Sequence, residues 1–310
     1  MQKITPCLWF DKNCEEAINF YTSIFPNSKI SSIQRYPSDM QVGPMTDMAG
    51  KILTAVFELN GLTFQALDGG PMFKINPSIN FMVNFDPSRD AEAAAHLDEL
   101  WAKLSEGGSA LMPIGEYPFS KRYGWIQDRF GVSWQLILTN PKGEPRPNII
   151  PSMLFVGDVC GKAEEALNFY VSLFKDSRMG TVAHYPTGME PDKAGTAMFA
   201  EASLSGEWLV AMDSAQKHAF SFNEGVSLSI DCADQAEVDY FWNKLTQEGE
   251  ESMCGWLKDK YGVSWQVVPS VLGDYMADPD QEKVKRVTAA FMEMKKFDIA
   301  KLQAAYEGKM

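Results

Sequence analysis

Imidazole and thiol chemistry is scarce in these 310 residues: three histidines (His96, His184, His218) and five cysteines (Cys7, Cys14, Cys160, Cys232, Cys254), none in a CxxC pair. An odd cysteine count without paired spacing points to reduced thiols and not to a disulfide framework. Two amides recur instead. Gln135 in RFGVSWQLI and Gln266 in KYGVSWQVV hold equivalent positions, and an amide that both donates and accepts suits a neutral polar ligand group or else the neighbouring backbone. Trp134 and Trp265 directly precede them, so on a strand they face the other way and read as core. Asp128 and Asp259, three residues before Gly131 and Gly262, read as carboxylates that hold a turn. Glu116 is the best general-base candidate, because a carboxylate overhanging an enclosed pocket has its pKa raised. A solvated hairpin charge is the competing reading.

The elements that must position these groups come in repeats. EEAINFYTSIFPNSK, from Glu15, returns as EEALNFYVSLFKDSR from Glu164, in the same order as the two GVSWQ segments. Gly108 to Trp125 corresponds to the much shorter Gly249 to Trp256, so the second copy has lost a hairpin. The expected division is a first domain over 1–140, a linker over 141–148, a second domain over 149–270 and a helical tail over 271–310. The prolines and glycine of NPKGEPRPN mark the linker.

Within the first copy, Ile4–Phe10 alternates as a strand and Cys14–Phe25 has helical spacing, with Ala17, Ile18, Tyr21 and Phe25 on one stripe. Three strands follow, around 28–36, 51–59 and 62–67, with Asn60-Gly61 as a tight hairpin turn. The same order then returns: a strand at 79–85, a helix at 90–106, and three strands ending at 132–138. Each domain is thus two β-α-β-β-β modules. One strand face carries Leu8, Phe10, Phe81, Val83, Phe85, Trp134, Leu136 and Leu138, and must lie under the helices. The other carries Thr5, Cys7, Trp9, Asn80, Met82, Asn84, Ser133, Gln135 and Ile137, a mixed surface that suggests a lined cavity more than bulk solvent.

Paired modules, a helix containing NFY and a closing DRFGVSWQ or DKYGVSWQ strand resemble the vicinal oxygen chelate superfamily, to which glyoxalase I belongs. FDKNCEEAINFY, ALDGGPMFK, LWAKLSEGG, GWIQDRFGVSWQ and CGWLKDKYGVSWQ are similar to its PhnB-like branch, often labelled with 3-demethylubiquinone-9 3-methyltransferase, over about residues 3–270. The resemblance implies an α+β fold of two tandem vicinal-oxygen-chelate-type domains. In each, two β-α-β-β-β modules form a U-shaped, mostly antiparallel sheet, and a helical tail follows. It implies a small-molecule ligand on the concave side. The four strand positions that hold a metal in the metalloenzymes fall on Thr5, Gln65, Asn80 and Gln135, and on Pro151, Val210, Gly225 and Gln266. None of the eight is a His, Glu or Asp, and neutral amides hold Ni, Zn or Fe weakly, so no metal and no cofactor are expected.

The expected ligand-binding set is therefore Thr5, Cys7, Trp9, Gln65, Asn80, Met82, Asn84, Gln135 and Gln266, with Glu116 as the catalytic candidate. The second cup, with Met153, Phe155, Trp208, Val210, Met212, Ser227, Ser229 and Gln266, is more apolar and reads as largely structural. Arg35 and His184, equivalent by alignment, could guard the two mouths or be plain surface. Metal-independent binding of a small organic molecule leads. A lyase, isomerase or dioxygenase acting on a small metabolite is the alternative enzyme reading, and a scaffold with filled cups is a third. Methyl transfer is disfavoured, since no glycine-rich loop follows an early strand.

A net charge of −13 argues against nucleic acid and against an anionic membrane surface. Without a bilayer-length apolar run or a signal-peptide start, the expected location is cytoplasmic. Assembly stays open between a homodimer, a pair already fused by the duplication, and module exchange between chains. The tail is expected to start a helix with Asp278 as cap, and to dock the stripe Val284, Val287, Phe291 and Met294 on its own domain or a partner.

Overall fold

The computed structural model describes residues 2–36 and 46–309. It divides into two compact units, residues 6–226 and residues 1–5 with 227–310. The first module runs β1 (Ile4–Phe10), α1 (Cys14–Ile24), β2 (Lys29–Arg35), β3 (Ile52–Leu59) and β4 (Leu62–Asp68). The second is β5 (Ile79–Phe85), α2 (Ala93–Ser105), β6 (Ser109–Tyr117), β7 (Ser120–Gln127) and β8 (Ser133–Leu138). The third is β9 (Ile149–Val156), α3 (Ala163–Leu173), β10 (Arg178–His184), β11 (Ala197–Leu204) and β12 (Glu207–Ser214). The fourth is β13 (Val226–Cys232), α4 (Gln235–Leu245), β14 (Glu250–Glu251), β15 (Trp256–Lys258) and β16 (Ser264–Pro269). Helices α5 (Ser270–Met276), α6 (Gln281–Met292) and α7 (Ile299–Tyr306) complete the described chain. None of the described helices is long and apolar enough to cross a membrane.

In every module the first strand lies parallel beside the last, and the remaining pairs are antiparallel. The Asn60-Gly61 turn has positive φ at both residues, as a two-residue hairpin loop requires. In the larger unit the helix-side core is one aromatic cluster. Tyr21 and Phe25 of α1 pack on Trp134 at 5.5 and 5.0 Å between ring centroids, and Phe81 lies 5.0 Å from Phe64 and 5.3 Å from Trp134. The first two modules therefore share a core, as one repeat of the sequence should.

They do not share a sheet. The eight-stranded sheet of the larger unit runs β10-β11-β12-β9-β5-β8-β7-β6, and so unites the second module with the third. Its seam is the antiparallel pair β5–β9, with Asn80 opposite Ser152 and Met82 opposite Ile150. The cause lies in the linker. Only about ten residues separate β8 from β9, and Asn84 anchors them: its N–H donates to Asn148 O (2.7 Å) and its amide to Pro147 O (2.8 Å). A connection that short carries the chain only across β5, from β8 on one side of it to β9 on the other.

In the smaller unit β14-β15-β16-β13 is covered by α4, whose Val238, Phe241, Trp242 and Leu245 are buried. The tail docks here on its own unit. Cys254 and Gly255 donate backbone N–H groups to Met294 O and Lys295 O, both at 2.7 Å, and Phe297 is buried. Helix α6 is capped by Asp280, which accepts from Glu282 N, and not by Asp278. The carboxylate of Asp278 instead takes up Tyr306 Oη and Lys283 Nζ.

Candidate ligand-binding site

The segment Asp128-Arg-Phe-Gly-Val sets the register of the closing strand. Asp128 Oδ1 accepts the N–H groups of Phe130 (2.8 Å) and Val132 (3.1 Å), which Gly131 permits with φ near +92°. Asp128 Oδ2 accepts from Tyr21 Oη and Trp134 Nε1, both at 2.8 Å. Burial pushes the Asp128 carboxyl above its ordinary range, against the pull of these donors. The repeat rebuilds the turn: Asp259 accepts from Tyr261 N, Val263 N and Trp265 Nε1. Fixing Trp134 on the helix side commits Ser133, Gln135 and Ile137 to the other face.

On that face lies a chain of buried hydrogen bonds. Tyr123 Oη donates to Gln135 Oε1 (2.7 Å), Gln135 Nε2 to Asn80 Oδ1 (2.8 Å), and Asn80 Nδ2 to Pro77 O (3.1 Å). Burial pushes the Tyr123 phenol up, so it stays a neutral donor. Around the chain three buried polar atoms have no hydrogen-bond partner: Trp125 Nε1, Ser133 Oγ and Ser152 Oγ. The register brings them together, because Trp125 lies opposite Gln135, Ser152 lies opposite Asn80, and Ser133 precedes Gln135 by two residues. Next to them Met82, Ile150 and Val210 form an apolar cluster, flanked by Ile137, Phe199, Trp208 and Met212. The arrangement offers neutral donors and acceptors beside an apolar floor, which is recognition chemistry for an uncharged organic molecule.

The β10–β12 half of the face differs. Glu201 lies opposite Val210, so its carboxylate is on the same face, and it is buried. Arg146 of the linker reaches it with Nη2 to Oε1 at 2.7 Å and Nε to Oε2 at 3.1 Å. Burial opposes the charge on Glu201, but hydrogen bonds from Arg146 and Thr181 outweigh it and hold the carboxyl below the usual glutamate range.

Of the expected ligand-binding residues the structure gathers Asn80, Met82, Asn84 and Gln135 in this sheet, with Asn84 serving the linker. Cys7, Trp9 and Gln65 are placed in the β1–β4 strands instead, where Trp9 Nε1 donates to Gly70 O. Thr5 and Gln266 belong to the smaller unit, and Gln266 Nε2 donates to Ser227 Oγ at 2.9 Å. Ser227, not Gly225, is the register equivalent of Asn80. Pro151 lies opposite Phe81 and so faces the helices, which leaves the sheet-face position to Ser152. By the same alternation Met153 and Phe155 are core, not cup. Glu116 sits at an irregular step of β6, between Gly115, opposite Tyr123, and Tyr117, whose ring packs on Tyr123, and it is exposed. Arg35 and His184 are both on exposed strand edges of the first and third modules. They pair with Glu15 and Glu164 at 2.7 Å, tying β2 to α1 and β10 to α3.

Sequence reading did not single out Tyr123, Trp125, Ser152, Arg146 and Glu201. The alternation Tyr-Gly-Trp over 123–125 was the available signal for the first two. A separate cleft of about 410 Å³ lies by α1 and α2, lined by Phe25, Arg89, His96 and Lys103 among others. It is the weaker candidate. His96 there is exposed and already paired with Asp90 (2.6 Å), whereas Trp125 Nε1, Ser133 Oγ and Ser152 Oγ of the sheet face are buried and unpartnered.

The family model for 3-demethylubiquinone-9 3-methyltransferase matches residues 2–137 and 147–268. A PhnB protein from Bacillus cereus, described as a 3-demethylubiquinone-9 3-methyltransferase, is 41% identical over 44% of this chain and 100% of its own, with a TM-score of 0.39. A protein from Pseudomonas aeruginosa is 25% identical over 45% of this chain and 98% of its own, with a TM-score of 0.38. Glyoxalase I from Zea mays covers 90% of this chain and 96% of its own at 13% identity and a TM-score of 0.56, a likeness of fold. A search of curated proteins gives no match. The four metal positions expected from the sequence resemblance fall, once the register is known, on Asn80, Gln135, Ser152 and Val210 of the eight-stranded sheet. Two amides, a hydroxyl and an isopropyl group do not fit a divalent ion that needs carboxylate or imidazole ligands.

Proposed function

The chain belongs to the 3-demethylubiquinone-9 3-methyltransferase family, and on that premise we propose that it binds a small, uncharged organic molecule on the eight-stranded sheet without help from a metal. The observation that carries this is the trio of buried, unpartnered atoms Trp125 Nε1, Ser133 Oγ and Ser152 Oγ around the Tyr123–Gln135–Asn80 chain. Buried polar groups in proteins are nearly always satisfied, so three in one place support a site that another molecule's groups complete. A ring compound with carbonyl or hydroxyl groups matches them: acceptors for the indole N–H, either role for the two hydroxyls, and an apolar body for Met82, Ile150 and Val210.

The test is a thermal-shift and tryptophan-fluorescence screen of neutral hydroxylated and carbonyl-bearing ring compounds, with S-adenosylmethionine in the same panel. Saturable hits should lose about tenfold in affinity in Trp125→Phe, the cost of leaving one buried hydrogen bond unmade. Hits that bind Gln135→Leu and Trp125→Phe as tightly as wild type would sink the site, and a panel without hits would sink the ligand class. A saturable response to S-adenosylmethionine would put methyl transfer first. Mass-spectrometric metal analysis after incubation with Ni, Zn, Mn and Fe(II) completes it: near-stoichiometric retention would replace this reading with a metalloenzyme one.

A further inference from the structure

The linker, read from sequence as a spacer, places one side chain on the sheet face. Arg146 is largely buried, and its guanidinium meets two features of the third module and the backbone of its own linker at once. Its Nε and Nη2 form the two parallel bonds to Glu201 already described. Its Cζ stands 4.0 Å over the Trp208 ring. Its Nη1 turns back to the carbonyls of Glu144 (3.3 Å) and Pro145 (3.2 Å), so the linker curls around its own cation.

The receptor side is equally built. Glu201 Oε1 also accepts the N–H of Thr181 at 3.1 Å, which aims the carboxylate independently of the arginine. Gly180 makes the room: a Cβ there would stand 2.8 Å from both Glu201 Cγ and the Trp208 ring. A buried carboxylate fork beside an indole face is the pair of surfaces that a planar guanidinium satisfies together, one by bidentate hydrogen bonds and the other by stacking. Trp208 in turn packs against the apolar cluster of Met82, Ile150 and Val210.

We propose that Glu201, Trp208, Thr181 and Gly180 form a guanidinium-binding site on the β10–β12 half of the sheet, occupied in cis by Arg146, so that the linker closes this half and confines any ligand to the Asn80–Gln135 half. The closing role rests on the ligand-site reading above, but the receptor does not, since its readout involves none of Tyr123, Gln135 or Asn80.

The experiment is full-length Arg146→Ala titrated with methylguanidinium chloride, followed by melting temperature and by calorimetry, with sodium chloride at equal ionic strength as control. The melting temperature of Arg146→Ala falls below wild type, and methylguanidinium restores part of the loss with saturation in the millimolar range. Wild type, whose site is filled, shows no such rise, and neither does Arg146→Ala carrying Glu201→Gln. Arg146→Gln, which keeps a polar side chain of moderate reach, is held to the same outcome if the alanine variant does not fold. A response in wild type equal to that of the variant, one reproduced by sodium chloride, or none in either variant overturns the receptor. A failed ring-compound screen beside successful rescue would discard the ligand reading and keep the receptor; the converse would do the reverse.

Discussion

The two halves of the eight-stranded face bury polar groups in opposite ways. On the β10–β12 half Glu201 is fully served by Arg146 and Thr181, and the linker seals the arrangement. On the β5–β8 half the chain from Tyr123 to Pro77 O is served from within, while Trp125 Nε1, Ser133 Oγ and, at the seam, Ser152 Oγ are not. A satisfied network rigidifies, and an unsatisfied one beside it marks a surface shaped for something else. On the proposed reading, the contrast separates structural burial from binding burial within one sheet.

The largest effect should come from breaking the closed half. Arg146→Ala leaves the Glu201 carboxylate buried without its cation and should destabilise the larger unit by about 3–5 kcal/mol in urea unfolding. Loss of under about 1 kcal/mol would mean that the pair behaves like a surface ion pair. Acid sharpens the same point. The folded-state pKa of Glu201 is depressed, so its contribution is fully present above the ordinary value and is lost as pH falls through the folded one. The stability gap between wild type and Glu201→Gln should therefore narrow as pH drops below about 4.5, and a gap that stays constant to strongly acid pH would contradict the assigned pair.

Next is the internally served chain. Gln135→Leu strips partners from both Tyr123 Oη and Asn80 Oδ1 and should cost about 1–3 kcal/mol. Gln266→Leu, in the fourth module, orphans only Ser227 Oγ and should cost less, about 1 kcal/mol. Equal losses would show that Tyr123 and Asn80 add nothing to the first copy. The second copy has also traded its hairpin for the tail: β14 and β15 are short, and where β7 has Tyr123 the fourth module has Cys254, held to Met294 by its backbone.

Much of this was legible in residue patterns, because strand and helix periodicity is local. The alternation that put Trp134 under the helices put Gln135 on the open face, and the Asp128 turn was readable from its spacing to Gly131. What failed was non-local. Which modules share a sheet depends on the β5–β9 pair, which no residue type announces, although the short linker hinted at it. Pro151 was one residue out of register with Ser152, and a slip of one exchanges faces; Gly225 was two out from Ser227, which preserves them. Glu201 was hidden among alanines and serines of β11 whose burial is nearly uniform, so the alternation there carried no signal. Helix α5 escaped because Gly273 interrupts its pattern.

The smallest change on stability should be the most informative about binding. Ser152 Oγ is buried at the seam of the two modules with no partner, so its hydroxyl contributes a desolvation cost and no hydrogen bond in the ligand-free chain. Ser152→Ala should leave stability unchanged or raise it by up to about 1 kcal/mol. In the same variant, compounds that bind wild type through this hydroxyl should weaken by a few fold. Serines kept for packing alone would show the stability change without the affinity change, and that result at both Ser152 and Ser133 would remove the distinction between the two halves. Affinity that falls while stability holds is the signature of a polar group whose partner arrives with the ligand.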